Sequence, residues 1–189
     1  MAEVIERGDI QFFYRPTVQP ADPDAEHESG VQSFFVVLSM RDRHRRVRIG
    51  RKRMPATTGE RLWARVERIG SFERAMGGLL EDEHYHTKTR GDRFQPGARA
   101  VARGCYAFVR HDDHVHFVYR VEAREPTTEV EVPDAASHVV LFERVPRGRA
   151  IWTTEGDPSR LDEEGAELVL VGVDDEPERE LGIELLPHA

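Results

Sequence analysis

The chain has 189 residues, long enough for one domain with a sizeable core and no need of disulfide or metal staples. Its formal net charge of -8 argues against unselective binding to nucleic acid or anionic lipid, and its longest apolar runs are too short to cross a membrane. The single cysteine, Cys105, excludes an intrachain disulfide and a cysteine-based zinc knuckle.

The first residues lack a basic region followed by an apolar run, so no signal peptide is expected and the chain reads as cytoplasmic. Ile10 to Arg15, entered through Gly8-Asp9 and closed by Pro16, reads as a first strand. Residues 19–30 are rich in Pro, Asp, Glu and Ser and read as a flexible acidic loop. Phe34 to Ser39 is a continuous apolar run that fits a central strand. Arg46-Val-Arg-Ile49 alternates as a strand with one wet face.

The period then changes. Leu62, Val66 and Ile69 recur at helical spacing, with Trp63 widening the stripe. Gly70 stops that helix, and Ser71 is a natural N-cap for a second one through Phe72, Ala75, Met76 and Leu79-Leu80. A two-helix insertion is therefore predicted around residues 59–82. His84 to Thr89 looks like a strand, and Arg90 to Gly104, with its Gly, Pro and Arg, like an irregular segment. Ser137–Glu143 and Ala166–Val171 read as strands, and Glu176 to Gly182 as a short helical turn. Strands in hairpin order with helices in one block predict a single α+β domain over 1–189. Its sheet should be mainly antiparallel, and it could curl into a small barrel. No Gly-x-Gly-x-x-Gly or phosphate-loop pattern occurs.

The densest chemistry lies between Cys105 and Val121. Three imidazoles and two carboxylates fall within His111-Asp-Asp-His-Val-His116, flanked by aromatic-rich strands. With Asp112-Asp113 as a two-residue loop, His111 and His114 sit opposite one another, and Val109 opposes His116. Alternation then projects His111, His114 and His116 from one face, and Tyr106, Phe108, Phe117 and Tyr119 from the other, the core face. Imidazoles converging at one corner could hold Zn²⁺ or Mn²⁺, so His111, Asp113, His114 and His116 are the candidate metal ligands. His84 and His86, two apart in a neighbouring strand, could add a ligand or a base. A solvated turn is the plain alternative. The patterns His-x-His-x-Asp-His, His-Glu-x-x-His and Gly-x-Ser-x-Gly are all absent, which lowers the expectation of an enzyme.

A second constellation is basic. Arg41, Arg43, Arg45, Arg46, Arg48, Arg51, Lys52 and Arg53 stand against Asp42 alone, a local charge of +7 inside an acidic chain. Arg46 and Arg48 share a strand face, and the Gly50-Arg-Lys-Arg loop extends the patch. This suits a phosphate-bearing partner, either nucleic acid or a small molecule, with Arg46, Arg48, Arg51, Lys52, Arg53 and Arg90 as the binding residues. Neutralisation of these arginines by the acidic loops is the competing expectation.

The turn Gly8-Asp9 into Ile10-Gln-Phe-Phe-Tyr14 resembles the opening of EVE and other PUA-like domains, which implies binding of modified bases or RNA. Across most of its length the chain is similar to a family of roughly 200-residue prokaryotic proteins of uncharacterised function. That similarity rests on Arg7-Gly-Asp-Ile-x-Phe-Phe-Tyr-Arg-Pro16, Ile49-Gly-Arg-Lys-Arg-x-Pro55, Thr87-Lys-Thr-Arg-Gly91, Val109-Arg-His-Asp-Asp-His114 and Glu164-Gly-Ala-Glu-Leu168. It implies no activity. The leading expectation is a non-enzymatic binding module for a phosphate-bearing ligand. The rivals are a metal-dependent hydrolase centred on the histidine hairpin and a structural partner subunit.

Overall fold

Inward and outward side chains alternate along the strands of the main sheet, and their inward sets meet in one interior. The computed structural model describes residues 1–22, 24, 30–51, 53–54, 58–126, 129–144 and 151–186. Its strands are β1 (Ala2–Pro16), β2 (Gln19–Pro20), β3 (Val31–Met40), β4 (Arg43–Ile49), β5 (Arg61–Gly70), β6 (Glu83–Thr87), β7 (Gly91–Gln95), β8 (Arg99–His111), β9 (His114–Arg124), β10 (Ala135–Arg144), β11 (Ile151–Thr153) and β12 (Glu167–Asp174). The helices among the described residues are short: α1 (Phe72–Met76) and α2 (Pro177–Leu181), with a 3₁₀ turn at Pro158–Leu161.

All strand pairings are antiparallel. The main sheet runs β11-β10-β12-β5-β4-β3-β1-β8-β9, and a further β10–β9 pairing joins its ends. Eight strands thereby close into a barrel, in the circular order β1-β3-β4-β5-β12-β10-β9-β8. Closure removes the free edges that an open sheet of this length would expose. The strand β2 pairs with β7, and β7 with β6, in a separate three-stranded sheet outside the barrel.

Side chains fill the interior, among them Ile10, Phe12, Phe34, Leu62, Phe108, Phe117, Tyr119 and Phe142. Burying such side chains is worth about 1.5–3 kcal/mol each, and it is the main stabilisation of a barrel this small. One end also carries a polar network. A register shift at Ile5 puts Val4 opposite Val109 on the outer face and turns Glu6 inward, opposite Phe108. There Glu6 receives hydrogen bonds from Arg45 (2.6 and 3.1 Å) and from the Tyr106 hydroxyl (2.7 Å). Arg45 is 2% exposed and also donates to Asp162 at 2.8 Å, beside the 3₁₀ turn whose Pro158 and Leu161 are buried. Burial pulls the Arg45 pKa down, but its bonds to Glu6 and Asp162 more than offset this, so it stays charged.

Two patches of the outer wall are covered by the chain itself. Leu181 and Leu185 pack on Cys105, Ala107, Val109 and Val118. Leu79 and Ala98 pack on Phe13, Phe35 and Val37. Cys105 is buried at the first of these patches, as expected of a structural thiol.

Three sequence expectations are corrected. The predicted two-helix insertion at 59–82 is strand β5 followed by the single short helix α1. Leu62, Ala64 and Val66 are buried while Arg61, Trp63 and Arg65 are exposed, a period of two. The helical reading gave no weight to Ala64, whose small side chain is enough to fill the inward position between Leu62 and Val66. Ser71 does cap α1, accepting from the Arg74 N–H. The segment 90–104, expected to be irregular, contains β7 and the start of β8. Gln19-Pro20, placed in the acidic loop, forms β2, while positions 23 and 25–29 of that loop lie outside the described residues. No helix among the described residues is long and apolar enough to cross a membrane.

Candidate metal centre

The hairpin tip forms with a two-residue loop. His111 pairs with His114 and Val109 with His116, and Asp112 takes a left-handed conformation (φ 57) that primed turns demand and Asp tolerates. Phe108, Phe117 and Tyr119 point into the barrel, so the three histidines stand on its outer wall. One ring nitrogen from each of His111, His114 and His116 lies within 4.8 Å of the others. Their ring centroids are 4.9 to 5.9 Å apart.

Neighbouring oxygens fix which nitrogens remain available. Asp113 Oδ1 lies 3.0 Å from His114 Nδ1, and Ser137 Oγ lies 2.9 Å from His116 Nδ1. Glu180, on α2, brings Oε1 to 3.9 Å from the same His116 nitrogen. His116 is 2% exposed, and among the described residues its Nε2 has no hydrogen-bond partner. Burial, followed by the proximity of His114 and His111, pushes the His116 pKa down to about 4. The imidazole is therefore neutral at ordinary pH, the form that coordinates a metal. Glu180 Oε2 is likewise buried and unpartnered among the described residues.

This donor set fits a divalent transition ion. With ligands at about 2.1 Å, tetrahedral donor atoms sit about 3.4 Å apart, so small rotations of the half-buried His111 and His114 at the hairpin tip suffice. An oxygen on Nδ1 with Nε2 left for the ion is the outer-shell pattern of metal-binding histidines. Asp113, a sequence candidate for ligation, lies outside the convergent nitrogens and orients His114 instead. His84 and His86 are not in the cluster. They lie on β6 in the outer sheet, His84 stacked on Phe94 and His86 bonded to Asp92 at 2.8 Å.

The basic candidates are spread over several sites. Arg46 and Arg48 do share a face, beside the ring of Phe35, but both meet Glu67, at 3.1 and 3.5 Å. Arg46 also donates to Gly77 O and Arg48 to Ser33 Oγ. Arg51 and Arg53 reach Glu60, at 3.6 and 2.5 Å. Lys52 lies outside the described residues. Arg90 stands exposed in the β6–β7 turn. In the circular strand order β4 is four places from β9, so Arg46 and Arg48 are across the barrel from the histidines.

Sequence reasoning missed Ser137 and Glu180, which lie 21 and 64 positions beyond His116 and reach it only through β9–β10 pairing and the docking of α2. No local signal marks either. Comparison with protein-family models, with characterised proteins and with solved structures finds no match, so fold and site alone define the protein: a closed antiparallel β-barrel with a three-histidine cluster on its wall.

Proposed function

We propose that the protein is a metal-dependent hydrolase whose ion, Zn²⁺ or Mn²⁺, is held by His111, His114 and His116. The observation that carries this reading is the convergence of three ring nitrogens within 4.8 Å around a buried histidine with an unpartnered Nε2. Three protein ligands leave a coordination position open, and an ion so held supplies Lewis acidity and an acidified water. Asp113 and Ser137 hold the tautomers of His114 and His116, and Glu180 supplies negative charge beside the site. Metal-free protein titrated with Zn²⁺ or Mn²⁺ should take up a stoichiometric ion, with His116→Ala losing it. Loaded protein should hydrolyse a chromogenic phosphodiester or ester. Absence of tight binding overturns the reading.

A second reading, a binding module for a phosphate-bearing ligand, is favoured by one cleft. A cavity of about 290 Å³ is lined by Arg15, Arg46, Arg48 and Arg68 against the carboxylates Glu67 and Glu83. Salt-sensitive binding of inorganic phosphate, weakened by Arg48→Ala, supports it; equal binding by the variant removes it.

A further inference from the structure

The chain contains two tryptophans, and both stand at one open patch of the outer wall. Trp63 on β5 is 59% exposed and meets Trp152 on β11 edge to face, with ring centroids 5.7 Å apart. Between them lie Leu141 and Val169, in register across the strands: Leu141 pairs with Val169, and Val169 with Trp63. The resulting cavity of about 410 Å³ also has Arg51 and Arg61 in its lining and no carboxylate. Glu60, 3.6 Å from Arg51, Glu143, paired with Trp152, and Glu167, paired with Arg65, are nearby acids. Along β5 the exposed residues run Arg61, Trp63, Arg65, a cation on each side of an indole. Unlike the two covered outer patches, this one has no helix packed on it among the described residues.

The patch adjoins the histidine cluster. Along one edge of β10, Val115 opposes Val140 and Thr153 opposes Phe142. The hairpin tip and β11 thus follow one another head to tail, two residues or about 7 Å apart on that edge. Trp152 is next to Thr153, as His114 is next to Val115.

We infer that this wall binds single-stranded nucleic acid and presents it to the metal centre. The exposed indole of Trp63, with the half-buried Trp152 against it, offers a stacking face that any unpaired base can use, and guanidiniums beside it meet the phosphates. A duplex hides its base faces, which is why the single strand is the occupant that fits. The inference rests on the proposed hydrolase for its chemistry, while the binding step needs no metal. In the reaction this assigns, a water oxygen bonds to phosphorus and the phosphorus–oxygen bond to one nucleoside breaks. One water proton ends on the leaving hydroxyl and the other passes to solvent, leaving a phosphomonoester.

Because both tryptophans are at the site, their emission reports directly on it. Metal-free protein is titrated with single-stranded DNA and RNA oligonucleotides of about ten residues, with a duplex of equal length and with a mononucleotide. Quenching by the single strands, weakened by added salt, is the expected result. Anisotropy of a labelled oligonucleotide should show Trp63→Ala and Arg61→Ala weakening binding by roughly 5- to 100-fold. Trp63→Phe, which keeps a stacking ring, should recover much of it. No quenching at low ionic strength overturns the inference, as does equal or stronger binding of the duplex or the mononucleotide. Sedimentation showing a dimer that shields both indoles also overturns it. Binding without metal-dependent cleavage upholds the site and overturns the hydrolase. Cleavage of a small phosphodiester by a chain that binds no oligonucleotide does the reverse.

Discussion

Ser137 Oγ sits 2.9 Å from His116 Nδ1 across the β9–β10 pair, and both side chains are almost wholly buried. This contact holds the imidazole in one orientation. Ser137→Ala should lower affinity for Zn²⁺ by roughly 10- to 100-fold, as loss of an outer-shell partner does. Competition with a chromophoric chelator measures it. His116→Ala should abolish binding, and His84→Ala should leave it unchanged.

Acid should destabilise the fold in a defined window. Burial pushes the pKa of His138 down from 6.5 to about 4, and His116 shifts in the same direction to the same value. Between those values the unfolded chain binds protons that the folded chain does not. Stability therefore rises with pH across this window and is lost as pH falls from about 6.5 to about 4. Urea midpoints across a pH series should show the fall, and His138→Phe should flatten part of it. His138 lies against Phe117 and Tyr119 inside the barrel, so a phenyl ring suits its surroundings.

Removing Arg45 takes from the buried Glu6 its closest cation and leaves it Arg43 at 3.9 Å and the Tyr106 hydroxyl. Arg45→Ala should cost about 3–5 kcal/mol in urea denaturation. Pairing Arg45→Met with Glu6→Gln should recover a large part, because the second change removes the buried carboxylate that has lost its closest cation.

The C-terminal cover should be measurable on its own. Leu181 is 6% exposed on an outer patch of β8 and β9. Leu181→Ala should destabilise by about 2–4 kcal/mol. It should also weaken metal binding through displacement of Glu180, which a variant with an equal stability loss far from α2 should not do.

The hairpin was legible in the sequence because its information is local. Two apolar strands around Asp112-Asp113 determine both the pairing and the face on which each histidine emerges. The same local rule failed at β5, where Leu62, Val66 and Ile69 satisfy helical spacing while Leu62, Ala64 and Val66 satisfy a strand. Only the pairing of β5 with β4 and β12 decides between the two. The arginine run was visible as composition, but its division was not. A register shift places Glu67 between Arg46 and Arg48, and alternation sends Arg45 inward to Glu6. Trp152 meets Trp63 from 89 positions away, a contact that nothing in either neighbourhood announces.

The β9–β10 pairing that joins the ends of the sheet also joins His116 to Ser137. It is the seam of the cylinder, and His116 is the member of the histidine cluster that reaches across it. An ion held by His111, His114 and His116 would clamp the β8–β9 hairpin that forms one side of that seam. Amide exchange along Val115–Val118 and Ser137–Val140 should slow on metal loading, while exchange on the far wall at β4 stays as it was.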